Sequence, residues 1–383
     1  MSRQYALRII TVAFVVFVGG FFVFGKSDYS LLNSSGGDLV IIVRQAKLNP
    51  PPLPIRGVYV TSWVAGSSQR MNEIIKLVDE TELNAVVIDV KDYSGKLAFK
   101  TKIPLADSSG AHREIRIRDV DGLIKRLHEK NIYVIGRVQV FQDPTLAEAR
   151  PDLAVQDKTE GIWRDYKGLA WLDPAAKEVW DYTVAIAQEM DRHGFDEVNL
   201  DYIRFPSDGP LSRMRFLHWD GTVPRPEIIR SFYSYFREKT KEDNIRISAD
   251  VFGLTALRAL DSRYDGNIGQ RMADALPNFD FISPMVYPSH YATGTIGIAD
   301  PNENPYPIVN ASLLATQKLI ATTTPSAKLR PWLQDFDLGK DYTAADVRAQ
   351  IQAVYDAGAD EWLLWNASNR YTREAFLTND QTR

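Results

Sequence analysis

From Arg56 onward, short runs rich in Val, Ile and aromatic residues alternate with segments in which apolar residues return every three or four positions. The first pattern reads as strand and the second as amphipathic helix. Strand candidates are GVYVTSW (57–63), AVVIDVKDY (85–93), YVIGRVQVF (133–141), EVNLDYIRF (197–205), RISADVFG (246–253), FISPMVYP (281–288), LRPWLQDF (329–336) and EWLLWNA (361–367). Strands separated by helices pair in parallel, and eight such units in about 320 residues predict one (β/α)8 barrel of the α/β class. Helix ends are marked as well. Asp173-Pro174 and the pair Thr343/Asp346 resemble helix starts, while Gly194 and Gly358 sit where a left-handed C-terminal residue is needed. A doubly wound open sheet is the alternative, but no GxGxxG follows the first strand and there is no phosphate-binding loop.

The pattern before Arg56 is different. Residues 9–25 form an uncharged apolar run, preceded by Arg3 and Arg8 and followed by Lys26 and Asp28. The run is near the lower limit of the roughly 17–25 residues that span a bilayer. It reads as an uncleaved transmembrane anchor with residues 1–8 in the cytoplasm by the positive-inside rule, which leaves the rest of the chain outside. A cleaved signal peptide, with secretion, is the alternative. Residues 26–54 are rich in Ser, Gly and Pro and read as a linker, with 39–43 as an unplaced strand-like run, and residues 55–376 make the barrel.

Side chains along a barrel strand alternate between the interior and the surrounding helices. On the fourth strand Val198, Leu200 and Tyr202 form the helix-facing set, so Asn199, Asp201 and Ile203 are expected inside. The same parity sends Asp89 and Lys91, Arg137 and Gln139, Ser248 and Asp250, and Ser283, Met285 and Tyr287 inward. Carboxylates inside a barrel are costly unless paired. A purely structural ion network is one explanation, but the set gathers at the C-terminal strand ends, where enzymes of this fold keep their active sites.

Composition narrows the chemistry. The chain has 383 residues, 45 Lys plus Arg against 49 Asp plus Glu, and a net charge of -4, so no basic field draws it to nucleic acid. There is no Cys, and the five His show no paired ligand spacing, so neither a metal nor a cofactor is assigned and a metal-dependent deacetylase is disfavoured. Carboxylates remain. Aromatic residues end the strands at the same rim, and flat apolar faces beside carboxylates suit sugar rings. Two acids on neighbouring strands are what glycoside cleavage requires.

FDEVNLDYIRFP (195–206) resembles the fourth-strand signature of family 18 chitinases. Asn199 stands in place of an Asp, however, and Ile203 in place of the acid Glu, so that family's mechanism does not carry over. Over 56–376 the chain resembles the bacterial "putative glycosyl hydrolase" domain of unknown function 4015, through RGVYVTSW, VVIDVKDYSG, DYIRFP, ISADVFG and ISPMVYPSHY. That likeness implies a glycosidase-type barrel in the cell envelope. Analogy with retaining barrel glycosidases of the α-amylase type assigns Asp201 as nucleophile or base and Asp250 as general acid. Trp63, Asp89, Lys91, Tyr93, Arg137, Gln139, Arg204, Tyr287, Gln334 and Trp365 are expected to bind substrate. The expected partner is an extracytoplasmic or cell-wall polysaccharide, with membrane contact only through the N-terminal helix. A glycan-binding barrel without turnover is the alternative. The loop over 287–307 is expected to shape substrate choice.

Overall fold

The computed structural model describes residues 27–33, 39–243, 245–324 and 327–378. Eight parallel strands close into a barrel: β1 (Arg56–Val60), β2 (Ala85–Lys91), β3 (Tyr133–Gln139), β4 (Glu197–Asp201), β5 (Arg246–Phe252), β6 (Phe281–Met285), β7 in two pieces (Lys328–Leu329 and Trp332–Gln334) and β8 (Trp362–Trp365), which pairs back onto β1. The break in β7 falls at Pro331, which has no N–H to give a neighbouring strand. Each expected strand is present, but most end earlier than the apolar runs do. After β1, for example, Thr61 caps a helical turn at Ser62–Ala65, so Trp63 leaves the sheet.

The main helices are α1 (Ser68–Asp79), α2 (Val120–His128), α3 (Lys177–Arg192), α4 (Arg225–Thr240), α5 (Met272–Ala275), α6 (Pro305–Ile320) and α7 (Ala344–Asp356). Thr343 and Asp346 form the expected capping box of α7. Gly194 and Gly358 follow α3 and α7 with φ of 84° and 81°, the left-handed conformation their type permits. Asp173 does something else. Its carboxylate accepts from the backbone N–H groups of Ala175, Leu217 and His218, pinning a long loop, and α3 starts later, at Lys177.

Two apolar layers result from the strand alternation. Val58, Val86, Ile88, Val134, Val198, Leu200, Ala249 and Leu364 pack outward against the helices. A smaller set, with Tyr59, Val87, Ile135, Tyr287, Trp332 and Leu363, fills the barrel interior.

Part of the segment read as a linker lies against this barrel. Ser27–Asn33 and Leu39–Gln45 pair as an antiparallel hairpin, which accounts for the strand-like run at 39–43. Arg44 and Lys47 pair with Asp191 of α3, and the N–H of Leu48 donates to Asp196 at 2.7 Å. The expected span over 9–25 lies outside the described residues. Among the described residues no helix is long and apolar enough to cross a membrane.

Candidate active site

The C-terminal mouth of the barrel opens into a cavity of about 520 Å³, within the roughly 300–1,000 Å³ of small-ligand sites. Its lining includes Arg137, Lys167, Asp201, Tyr202, Arg204, Asp250, Phe252, Met285, Tyr287, His290, Tyr291 and Trp365.

Arg137 of β3 is the hub. Its Nη1 donates to Asp89 Oδ1 at 2.7 Å, its Nη2 donates to Asp201 Oδ2, and its Nε lies 3.8 Å from Asp250 Oδ2. Burial opposes the charge on this guanidinium, yet Asp201 and Asp89 together hold it well above the usual arginine range. The ring of Trp365 covers it at 4.9 Å and stacks in turn on Tyr59 at 3.8 Å. Neighbouring strands in register put these groups side by side, with Asp89 opposite Arg137 and Gln139 opposite Asp201.

The carboxyls differ in their surroundings. Asp201 Oδ1 accepts from the N–H of Tyr202 at 2.6 Å, and Oδ2 takes the guanidinium. Asp250 Oδ1 accepts from Asn199 Nδ2 and from the Trp332 indole, both at 2.8 Å, while Oδ2 receives no hydrogen bond from a described residue. Burial, and then the negative charge of Asp201, push the Asp250 carboxyl well above the ordinary range. Asp89 is also raised by burial, but both its oxygens are taken, by Arg137 and by the Tyr59 hydroxyl.

Several expected site residues are therefore placed elsewhere. Asp89 holds Arg137 and does not line the cavity. Lys91 is turned away from the interior, because the pairing between β2 and β3 shifts after Asp89 and sets Lys91 opposite Val138. Its ammonium pairs with Asp143 at 2.8 Å and faces the Tyr182 ring at 5.3 Å, buried from solvent. Gln334 is engaged at both ends of its amide: Oε1 accepts from Ser289 and Nε2 donates to Phe336 O, which ties β7 to the turn carrying His290. Gln139 is buried outside the lining, with Oε1 unpartnered. Trp63 and Tyr93 are 60% and 59% exposed and stand clear of the cavity. Asp201, Asp250, Arg137, Arg204, Tyr287 and Trp365 do converge on it.

Parity also fails beyond Asp201. Tyr202 has φ of 54°, which turns the chain so that Tyr202 lines the cavity and Ile203 packs into the outer layer. Gly253 follows β5 where a Cβ would collide with the Met285 carbonyl and the Tyr291 hydroxyl, so only glycine lets the two strand ends approach. Sequence reasoning missed Lys167, His290, Tyr59 and Trp332 as contributors. For Tyr59 and Trp332 the signal was present, since both share the inward parity of their strands. Lys167 and His290 lie on loops, where no periodicity operates. Among the described residues no group of His, Asp or Glu is arranged to hold a metal ion.

The barrel is similar to that of the glycoside hydrolase domain of PgaB (BpsB) from Bordetella bronchiseptica, with a TM-score of 0.58 and 14% identity over 84% of this chain and 98% of that one. A chitobiase from Flavobacterium johnsoniae matches with a TM-score of 0.51 and 10% identity over 90% of this chain and 50% of that one. A hypothetical protein from Ruminiclostridium thermocellum is 40% identical over 51% of this chain and 97% of its own, with a TM-score of 0.47. No curated protein sequence matches the chain. At such identities the first two likenesses establish the fold alone. The family is established by sequence: over residues 57–371 the chain belongs to the "putative glycosyl hydrolase domain" family, domain of unknown function 4015.

Proposed function

We propose that the protein cleaves a polysaccharide of the cell wall or the extracytoplasmic space by a two-carboxylate mechanism. One observation carries this reading: Asp201 and Asp250 flank a single guanidinium at the cavity wall, Asp201 hydrogen-bonded to it and Asp250 held off from it with its carboxyl raised by burial. Three carboxyls share Arg137, so in a buried site one of them gains from staying protonated, and the one without a close cation is Asp250.

In this mechanism protonated Asp250 delivers its proton to the departing glycosidic oxygen. Asp201 attacks the anomeric carbon or takes the proton of an attacking water. Arg137 neutralises Asp201 between turnovers, and Asn199 and Trp332 hold Asp250 in position. Tyr287 and Trp365 supply flat faces for the sugar. Placement at the envelope, with the barrel outside the cytoplasm, rests on the apolar run at 9–25.

The test is release of reducing ends from envelope glycans by the full-length protein in detergent. Asp201→Asn should lower the rate by about 10²–10⁴-fold, the usual worth of a positioned acid or base. Wild-type rates in that variant would sink the assignment. Glycan binding with no turnover by the wild type would leave the binding-only barrel as the better account.

A further inference from the structure

On one side of the cavity lies a cation without an anion. Arg204, just past β4, is 7% exposed and lines the cavity. Its Nη1 donates to Phe205 O and to Ser207 Oγ, both at 3.1 Å, and no described carboxylate comes within ion-pairing distance. Its guanidinium lies 4.7 Å from the Trp171 ring, 4.8 Å from Phe252 and 5.2 Å from Tyr202. The nearest acids are otherwise occupied or distant. Asp165 accepts from the N–H groups of Lys167 and Leu169, from Gln142 and from the Trp171 indole, and Asp208 is exposed. Burial lowers the affinity of Arg204 for its proton, and the longer-range attraction of Asp201, which Arg137 already holds, and of Asp208 and Asp165 offsets this only in part.

Lys167 joins Arg204 at the cavity wall and also makes no ion pair with a described residue. The lining thus carries three cationic side chains, Arg137, Lys167 and Arg204, against two carboxyls, Asp201 and Asp250. Asp201, Asp250 and the underlying Asp89 all gather on Arg137, so the positive charge of Arg204 and Lys167 stands apart from them on the cavity wall although the whole chain is acidic. A guanidinium with Nε and Nη2 uncommitted presents the planar fork that matches a carboxylate.

We infer that the glycan recognised in this cleft is acidic, and that Arg204, with Lys167 beside it, binds the carboxylate of a uronic-acid-type sugar next to the bond over Asp201 and Asp250. This rests on the cleft being a glycan site. It does not rest on turnover. The carboxylate supplies the counter-charge Arg204 lacks, and the aromatic rings around it keep water from screening the pair.

The experiment measures binding by calorimetry, using full-length Asp201→Asn in detergent so that no ligand is consumed. Three oligosaccharides of one backbone are compared: a glucuronate-containing form, its carboxyl-reduced neutral form and a phosphorylated form. The glucuronate form should bind about tenfold or more tighter than the neutral one, the worth of a charge-assisted pair. Adding Arg204→Lys, which keeps the charge and loses the fork, should cut that preference, and adding Lys167→Ala at its exposed position should cut it further. Equal binding of the first two ligands, a preference unmoved by both substitutions, or tightest binding of the phosphorylated form would overturn the inference. The two readings also fail separately. Charge-selective binding with no reducing ends from the wild type removes hydrolysis and leaves this inference standing, whereas turnover of neutral glycans with no charge preference does the reverse.

Discussion

The barrel contains two buried ion networks of similar composition at its opposite ends. At the N-terminal end Arg330 of the β7 segment pairs with Glu197 of β4 and lies 3.7 Å from Glu361, with the Phe281 ring under its guanidinium at 4.1 Å. Arg330 and Glu197 are wholly buried, and the Tyr133 hydroxyl seals the site by donating to Glu197 at 3.3 Å. At the C-terminal end Arg137 gathers Asp89, Asp201 and Asp250, but two of these acids face a cavity. Buried charge in itself is therefore no mark of function in this molecule. The upper network differs in setting three carboxyls around its guanidinium where the lower sets two, and in having open volume beside it. None of the lower network's groups lines that cavity, and burial raises the Glu361 carboxyl above its ordinary range.

Removing each hub separates the two networks most sharply. Arg330→Met and Arg137→Met should each destabilise the fold by about 3–5 kcal/mol, the usual cost of stripping one partner from a buried pair, read from urea midpoints. Glycan release per folded molecule should survive the first and fall by at least about 10²-fold in the second. Equal activity losses would erase the distinction.

Titration gives a smaller, directional effect. Because the Asp250 carboxyl is raised by burial and by Asp201, the folded chain keeps a proton over the interval from the ordinary carboxyl value up to the raised one, while the unfolded chain has lost it. Stability then falls as pH rises through that interval. Asp250→Asn should flatten this fall in melting curves recorded upward from about pH 4, while abolishing turnover. A slope unchanged by the substitution would mean that Asp250 is ionised in the native state. Asp335, pushed up to about 6 by burial, contributes a slope of the same sign and remains in the variant as an internal reference.

The smallest effects distinguish cavity from rim. Trp365→Ala removes the ring that covers Arg137 and should weaken glycan binding about three- to tenfold. Trp63→Ala removes an exposed ring that faces Arg116 at 4.7 Å, and should change stability by no more than about 0.5 kcal/mol and leave affinity alone. A loss of affinity on Trp63→Ala would extend the binding face across the rim.

These contrasts also show what could be read in advance. Asp201, Asp250 and Arg137 were legible because each belongs to a regular strand with period-two alternation and stands opposite another polar residue in register. Lys91 was misplaced by a single register shift, and Trp63 by a helical turn that began where a longer strand was expected. Gln334 is expected to bind substrate, but its amide is engaged by Ser289 and Phe336, and no sequence pattern reports whether an amide already has partners.

By itself the sequence determined the eight-fold alternation, the family and the gathering of acids at one rim, because these depend on periodicities that act over a few residues. Only the tertiary structure decided which of three Asp carboxyls lacks a close cation, that Lys91 is spent on Asp143, and that Arg204 pairs with no acid among the described residues. Each of those outcomes depends on distances between residues tens to more than a hundred positions apart, and such distances arise only when the barrel closes.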